Sequence, residues 1–273
     1  MTLRALCSAA ALGLLPGCVA TASLDGLTWR SGYETGFPGA EWHNEPRDAY
    51  SPDGKLAHGR LSAWTIADRD AGAPVFAGRY VYKGWVTGRA ESSHRAYPVI
   101  HVDIATPLIN SFMVYIYVDY GRVGDAWVSL GSWGNHDPGT GAGQWVLHTL
   151  SIRNRKLEFA HTSPFHGEYI GPTPQPDVPL RRWVRFTAYL LYEGGNGFVQ
   201  VWQDGVAMLR AEVPQLARDP GTRLHTAHWG MYASGDLDHG VLYNDEIAIC
   251  ALAAPLTDLA TEPRCPRADA QNR

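Results

Sequence analysis

Short apolar–polar alternations, following one another with no helical period between them, are the feature that most constrains what this chain can fold into. From residue 79 onward the runs are Arg79–Thr87, Tyr97–Ala105, Ser111–Tyr120, Asp125–Trp133, Gln144–Ile152, Lys156–Thr162, Trp183–Glu193, Phe198–Asp204, Ala207–Glu212, Ala227–Ala233 and Val241–Cys250. They are rich in Val, Ile, Tyr, Trp and Thr, the residues that suit a pleated, half-buried surface. Turn residues separate them: Glu193-Gly194-Gly195-Asn196-Gly197 reads as a hairpin loop and Gln203-Asp204-Gly205 as a tight turn. Many short strands with no crossover helices predict an all-β chain, an antiparallel sandwich or barrel. A breaker cluster at Asp70-Ala71-Gly72-Ala73-Pro74 precedes the first clear strand. The expected organisation is therefore an irregular segment over 18–74 packed on one β-domain over 75–250, with a tail over 251–273.

The start of the chain reads as an address. Met1 to Gly17 carry one charge, Arg4, followed by the apolar run Ala9 to Leu15, too short to span a bilayer permanently. The run ends Leu15-Pro16-Gly17-Cys18, which resembles a bacterial lipoprotein signal with Cys18 as the lipidated residue; plain secretion is the alternative. An exported chain favours a disulfide between Cys250 and Cys265, two unrelated thiols being the other option. The expected location is thus the cell envelope, held by an N-terminal lipid, or the exterior. A formal net charge of −4 speaks against a nucleic-acid partner, which calls for a basic excess. A monomer is expected, with the membrane reached only through that lipid.

Period two sorts the strand faces. Ile100, Val102 and Ile104 alternate with His101 and Asp103, and Tyr97 shares the latter parity. Phe112, Val114, Ile116 and Val118 alternate with Met113, Tyr115, Tyr117 and Asp119. Val128 and Leu130 oppose Trp127, Ser129 and Trp133; Val184, Phe186, Ala188 and Leu190 oppose Trp183, Arg185, Thr187 and Tyr189. Each strand offers an aliphatic face for a core and a second face of rings, His, Arg and Asp, where a solvent face would hold Lys, Glu, Thr and Ser. Rings mixed with hydrogen-bonding groups suit sugars, whose C–H faces stack while their hydroxyls take the polar groups. The competing reading is a sandwich whose aromatics lie beneath long loops.

Two stretches carry a family resemblance. Arg181-Arg182-Trp183-Val184-Arg185-Phe186-Thr187 through Val199-Gln200-Val201-Trp202-Gln203-Asp204-Gly205 resembles a hairpin of concanavalin-A-like jelly rolls. His228-Trp229-Gly230-Met231-Tyr232, followed by Leu242-Tyr243-Asn244-Asp245-Glu246-Ile247-Ala248-Ile249, is similar to the closing strands of the heparin-lyase-like and alginate-lyase-like polysaccharide lyases. The resemblance implies a jelly roll, a uronic-acid polysaccharide as substrate, Tyr232 as Brønsted acid or base and His101 as its helper. Val99 departs from the pattern, standing where those lyases carry a Gln that neutralises the substrate carboxylate. β-Elimination needs that charge offset before the adjacent proton can leave, and Arg185 is the candidate. Tyr115, Tyr117, Trp127, Trp133, Tyr189 and Asp103 are the candidate sugar contacts, all expected on one face. A non-catalytic polysaccharide-binding lipoprotein of the same fold is the alternative, and an adhesive surface protein a third reading.

No resident cofactor is expected. Calcium is the one candidate ion, through Asp236, Asp238, Asn244 and Asp245, although an Asp- and Gly-rich turn explains these residues more simply. The His225-x-x-His228 spacing places its histidines on opposite faces of a regular strand, so no metal site is assigned to it.

Overall fold

The computed structural model describes residues 24–35, 42, 61–118, 125–136, 145–163, 166–171, 176–192, 197–212 and 223–265. The signal-like start, Cys18 and Asp119 lie outside the described residues. The strands are β1 (Leu24–Ser31), β2 (Ser62–Asp68), β3 (Tyr80–Val86), β4 (His94–Ala96), β5 (Val99–Ala105), β6 (Leu108–Val118), β7 (Trp127–His136) and β8 (Trp145–Arg153). They continue with β9 (Lys156–Ser163), β10 (His166–Ile170), β11 (Trp183–Leu191), β12 (Phe198–Gln203), β13 (Val206–Glu212), β14 (Arg223–His228), β15 (Met231–Ala233) and β16 (Gly240–Leu252).

Two antiparallel sheets form a jelly-roll β-sandwich. The first runs β13-β12-β11-β6-β16-β3-β2, with β1 added to the far half of β16. The second runs β10-β9-β8-β7-β14-β5, and β15 bridges β7 to β4. The 18–74 segment is thus not wholly irregular: β1 and β2 are members of the first sheet. Register shifts at Leu24/Leu27 and Leu27/Trp29 break the alternation of β1, and small residues dilute that of β2.

The aliphatic faces meet as expected, with Phe112, Val114 and Ile116 of β6 opposite Ile100, Val128, Leu150 and Phe159 in one buried cluster. A tryptophan pair sits at its centre. Trp133 and Trp229 are both fully buried, and each donates its indole N–H to Asn110 Oδ1, at 2.9 and 3.3 Å. Asn110 in turn donates to the Ala248 carbonyl at 2.9 Å, so this polar knot is satisfied inside the core.

Cys250 and Cys265 are joined by a disulfide, which holds the segment after β16 across the outer side of the first sheet. The Glu262 side chain, 5% exposed, accepts from Arg185 Nε at 2.8 Å and from Thr187 Oγ1 at 2.6 Å. Leu256 and Leu259 cover Tyr189 and Trp202 in a small second core.

Candidate functional site

The outer face of the second sheet gathers the chemistry around Tyr232. Two strands are interrupted at the same level there: β14 gives way to β15 at Trp229-Gly230, and β4 to β5 at Tyr97-Pro98. Trp229 turns into the core, and Gly230 takes φ +124°, a value that favours glycine. The side chains flanking the breaks close on one another. Tyr97 stacks on His228 with ring centres 4.1 Å apart and meets Tyr232 edge-on at 5.2 Å. Tyr232 also meets Trp127 edge-on at 4.7 Å and His228 at 5.6 Å. Arg95 is the cross-strand partner of Tyr232, so the two share a face.

His228 is 6% exposed, and its Nε2 has no hydrogen-bond partner among the described residues. Burial, with the Arg95 charge adding to it, lowers its pKa to about 3. The ring is therefore neutral, with a polar atom still to be satisfied.

From Trp127 the same face continues across β8 and β9 as a buried polar network, in which Ser129, Ser132, Thr149, Ser151 and Glu158 are all enclosed. Ser129 and Ser132 lie 3.2 Å apart (Oγ to Oγ), and Ser132 and Thr149 3.0 Å apart. Arg153 Nε donates to Glu158 at 3.1 Å and Ser151 to the same carboxylate at 3.0 Å. The Arg153 guanidinium lies 5.5 Å from the ring of Tyr169, which is 60% exposed. The accessible part of this region is the Tyr169 ring with Arg153 beside it, a ring and a cation that can stack on and hydrogen-bond a sugar.

The structure brings together Tyr232 and Trp127. His101 belongs to the same face further along β5, where it pairs with Thr226, two residues before His228. Asp103 lies beyond it and is engaged by Arg223 Nε, with His225 Nε2 at 3.6 Å.

The expectation of a single shared face does not hold for the rest. Arg185, Tyr115, Tyr117 and Tyr189 belong to the first sheet, on β11 and β6. Arg185 is held by Glu262, and Tyr189 is fully buried beneath the C-terminal segment. Trp133 points into the core, because the register shift between Ser129 and Gly131 inserts one residue and reverses the parity after it. The acidic turn does not form a cage. Asn244 is buried in register with core-facing Val114, while Asp245 accepts from the Phe76 and Ala77 N–H groups at 3.0 and 3.1 Å. Among the described residues no group of three or more His, Cys, Asp or Glu converges.

Sequence reasoning missed Tyr97, Arg95 and His228 as partners of Tyr232. The signal was Pro98 and Gly230, two breakers in otherwise strand-like runs.

No protein-family model matches the chain and no curated sequence is similar to it. Solved structures do match. Alginate lyase Aly36B superposes with a TM-score of 0.50 at 10% identity, over 70% of this chain and 93% of that one. A mutant of the same enzyme in complex with alginate trisaccharide gives 0.50 at 13%, over 71% and 99%. The binding domain of Paraclostridial Mosquitocidal Protein 1 gives 0.50 at 10%, over 86% and 51%. The class so defined is the jelly-roll β-sandwich. Within it, the chain shares its fold with a polysaccharide lyase.

Proposed function

We propose that this chain is an exported polysaccharide lyase acting on a uronic-acid polymer at the outer face of the second sheet. The observation that carries the reading is the placement of Tyr232 beside buried His228 and across from Arg95. Arg95 offsets the uronate carboxylate and makes the adjacent C–H more acidic. Tyr232 exchanges the proton: as base it removes that hydrogen, the electron pair forms the new C–C double bond, and the bond to the leaving oxygen breaks. The same group, or His101, then protonates that oxygen. Neutral His228 lies buried beneath Tyr97 and braces the Tyr232 ring from below, while Tyr97 and Trp127 flank that ring. The fold shared with Aly36B, one form of which was solved with alginate trisaccharide, supports the substrate class. The signal-like start, with Cys18 as lipid carrier or with simple secretion, supplies the route to an extracellular polymer.

A second reading, a non-catalytic binding protein on the same face, is favoured by Val99. Its aliphatic side chain stands across from His228, where a carboxylate-binding amide would serve catalysis. Ultraviolet absorbance of newly formed unsaturated uronates, followed over alginate and other uronic-acid polymers, separates the two. A rise that Tyr232→Phe abolishes while polymer retention persists is the expected outcome. A flat trace from folded protein that still retains polymer moves the conclusion to the binding reading.

A further inference from the structure

We propose that the outer face of the first sheet carries a second polysaccharide site, a platform of rings and cations for an extended acidic glycan, separate from the site around Tyr232. Four neighbouring strands place Lys83, Tyr243, Tyr115 and Trp183 in direct cross-strand register, β3 to β16 to β6 to β11. With strands ~4.8 Å apart, this row spans roughly 14 Å in a line perpendicular to the strands.

The rings brace one another edge-on: Tyr115 meets Trp183 and Tyr243 at 5.8 Å each, and Phe76 meets Trp183 at 5.8 Å. A parallel row, two residues along, holds Trp85, Val241 and Tyr117. Tyr117 is 39% exposed and Phe76 49% exposed. Each row has its cation. Lys83 Nζ lies 5.3 Å from the Trp85 ring and 6.0 Å from Tyr243, and the Arg181 guanidinium 4.5 Å from Tyr117.

Charge selects the occupant. Among the described residues neither Lys83 nor Arg181 pairs with a carboxylate. Asp245, the next acidic side chain along β16, is turned onto the Phe76 and Ala77 N–H groups and is fully buried. The cations are therefore left to meet an anion from outside, and the rings to stack on whatever carries it.

The other half of this sheet face argues the same way by contrast. There the disulfide-held C-terminal segment covers Tyr189 and neutralises Arg185 with Glu262, so its rings and its cation are already used. The Lys83–Trp183 row lies outside that segment's contacts. A polymer gripped here is held on the sheet opposite to Tyr232, which would keep a long substrate close between encounters with the first site.

The test is gel retention of the full chain by immobilised alginate, polygalacturonate and heparin, with neutral dextran as control and sedimentation to follow self-association. The wild type is expected to be retarded by at least one acidic polymer and not by dextran. Lys83→Ala combined with Arg181→Ala, and separately Tyr117→Ala, should each weaken that retention severalfold, while thermal unfolding stays cooperative. Tyr232→Phe should leave it in place, so a failure of the lyase reading and a failure of this one are told apart. Unchanged retention in the folded Lys83/Arg181 double variant overturns the proposal, as does no retention on any acidic polymer. Equal retention by dextran would show that charge does not select the ligand, and a dimer dissolved by the same variants would assign the face to a second copy; either result overturns it too.

Discussion

At the scale of single residues, His228 ties the site to the stability of the chain. Its imidazole is enclosed by Tyr97 and Tyr232, and burial keeps it neutral down to about pH 3, against an ordinary 6.5. The folded state therefore binds fewer protons than the unfolded chain between those values. The contribution of this group is fully present above pH 6.5 and is lost as pH falls towards 3. His148 pulls in the same direction, since burial and then His161, 2.9 Å away, hold its pKa well below the usual value. Asp245 pulls the other way, with burial raising it to about 7, so the wild-type profile sums opposing slopes. A difference measurement isolates His228. Between pH 7 and pH 5, wild type should lose about 2 kcal/mol more than His228→Gln, read from urea unfolding at each pH. Equal losses would mean that this imidazole takes up its proton without unfolding.

At the scale of elements, the interruption between β14 and β15 sets the position of Tyr232. Gly230 carries the left-handed φ, and a Cβ added there would lie 3.0 Å from the Tyr82 ring. The Tyr82 hydroxyl donates to the Ala96 carbonyl on β4, so that ring has little room to yield. Gly230→Ala should cost ~1–3 kcal/mol in thermal or denaturant unfolding through backbone strain, and should weaken polymer retention at the Tyr232 face by displacing β15. An unchanged unfolding midpoint would show that the break absorbs the methyl group. The long strands around this break were legible because period two survives in them: β5, β6 and β11 match the runs read at Tyr97–Ala105, Ser111–Tyr120 and Trp183–Glu193. What misled was the bulge. One inserted residue in β7 turns Trp133 from a face shared with Trp127 into the core, and a shift between Leu224 and Thr226 lets His225 approach Asp103 on the face that also carries His228. A bulge leaves no residue-type signature strong enough to be read from one sequence. Three-residue β4 is too short to show a period at all.

At the scale of the whole molecule, period two says that a side chain points away from the core but not which of two sheets it points away from. Tyr232, Tyr115 and Arg185 each lie on an outward parity, yet strand order puts the first on one side of the sandwich and the others on the opposite side. That assignment follows from long-range pairing, such as β6 between β11 and β16, which local pattern does not encode. The C-terminal segment belongs to the same level of organisation. Among the described residues it carries no strand of its own, and its contacts with Arg185, Thr187 and Tyr189 join residues 67 or more positions apart. The disulfide closes a loop of 15 residues. Closure of such a loop restricts the unfolded chain by about 3 kcal/mol on the chain-entropy account. Replacing Cys250 and Cys265 together by Ser should lower the denaturant midpoint accordingly and open Tyr189 and Trp202 to solvent, visible as a change in tryptophan emission. The Tyr232 face lies across the core, shares no hydrogen bond with this segment among the described residues, and should keep its polymer response in the double variant under conditions where the chain remains folded. If that response disappears while the chain is still folded, the two faces are mechanically linked through the core, and Asn110, which holds the indoles of both Trp133 and Trp229, is the residue through which the link would run.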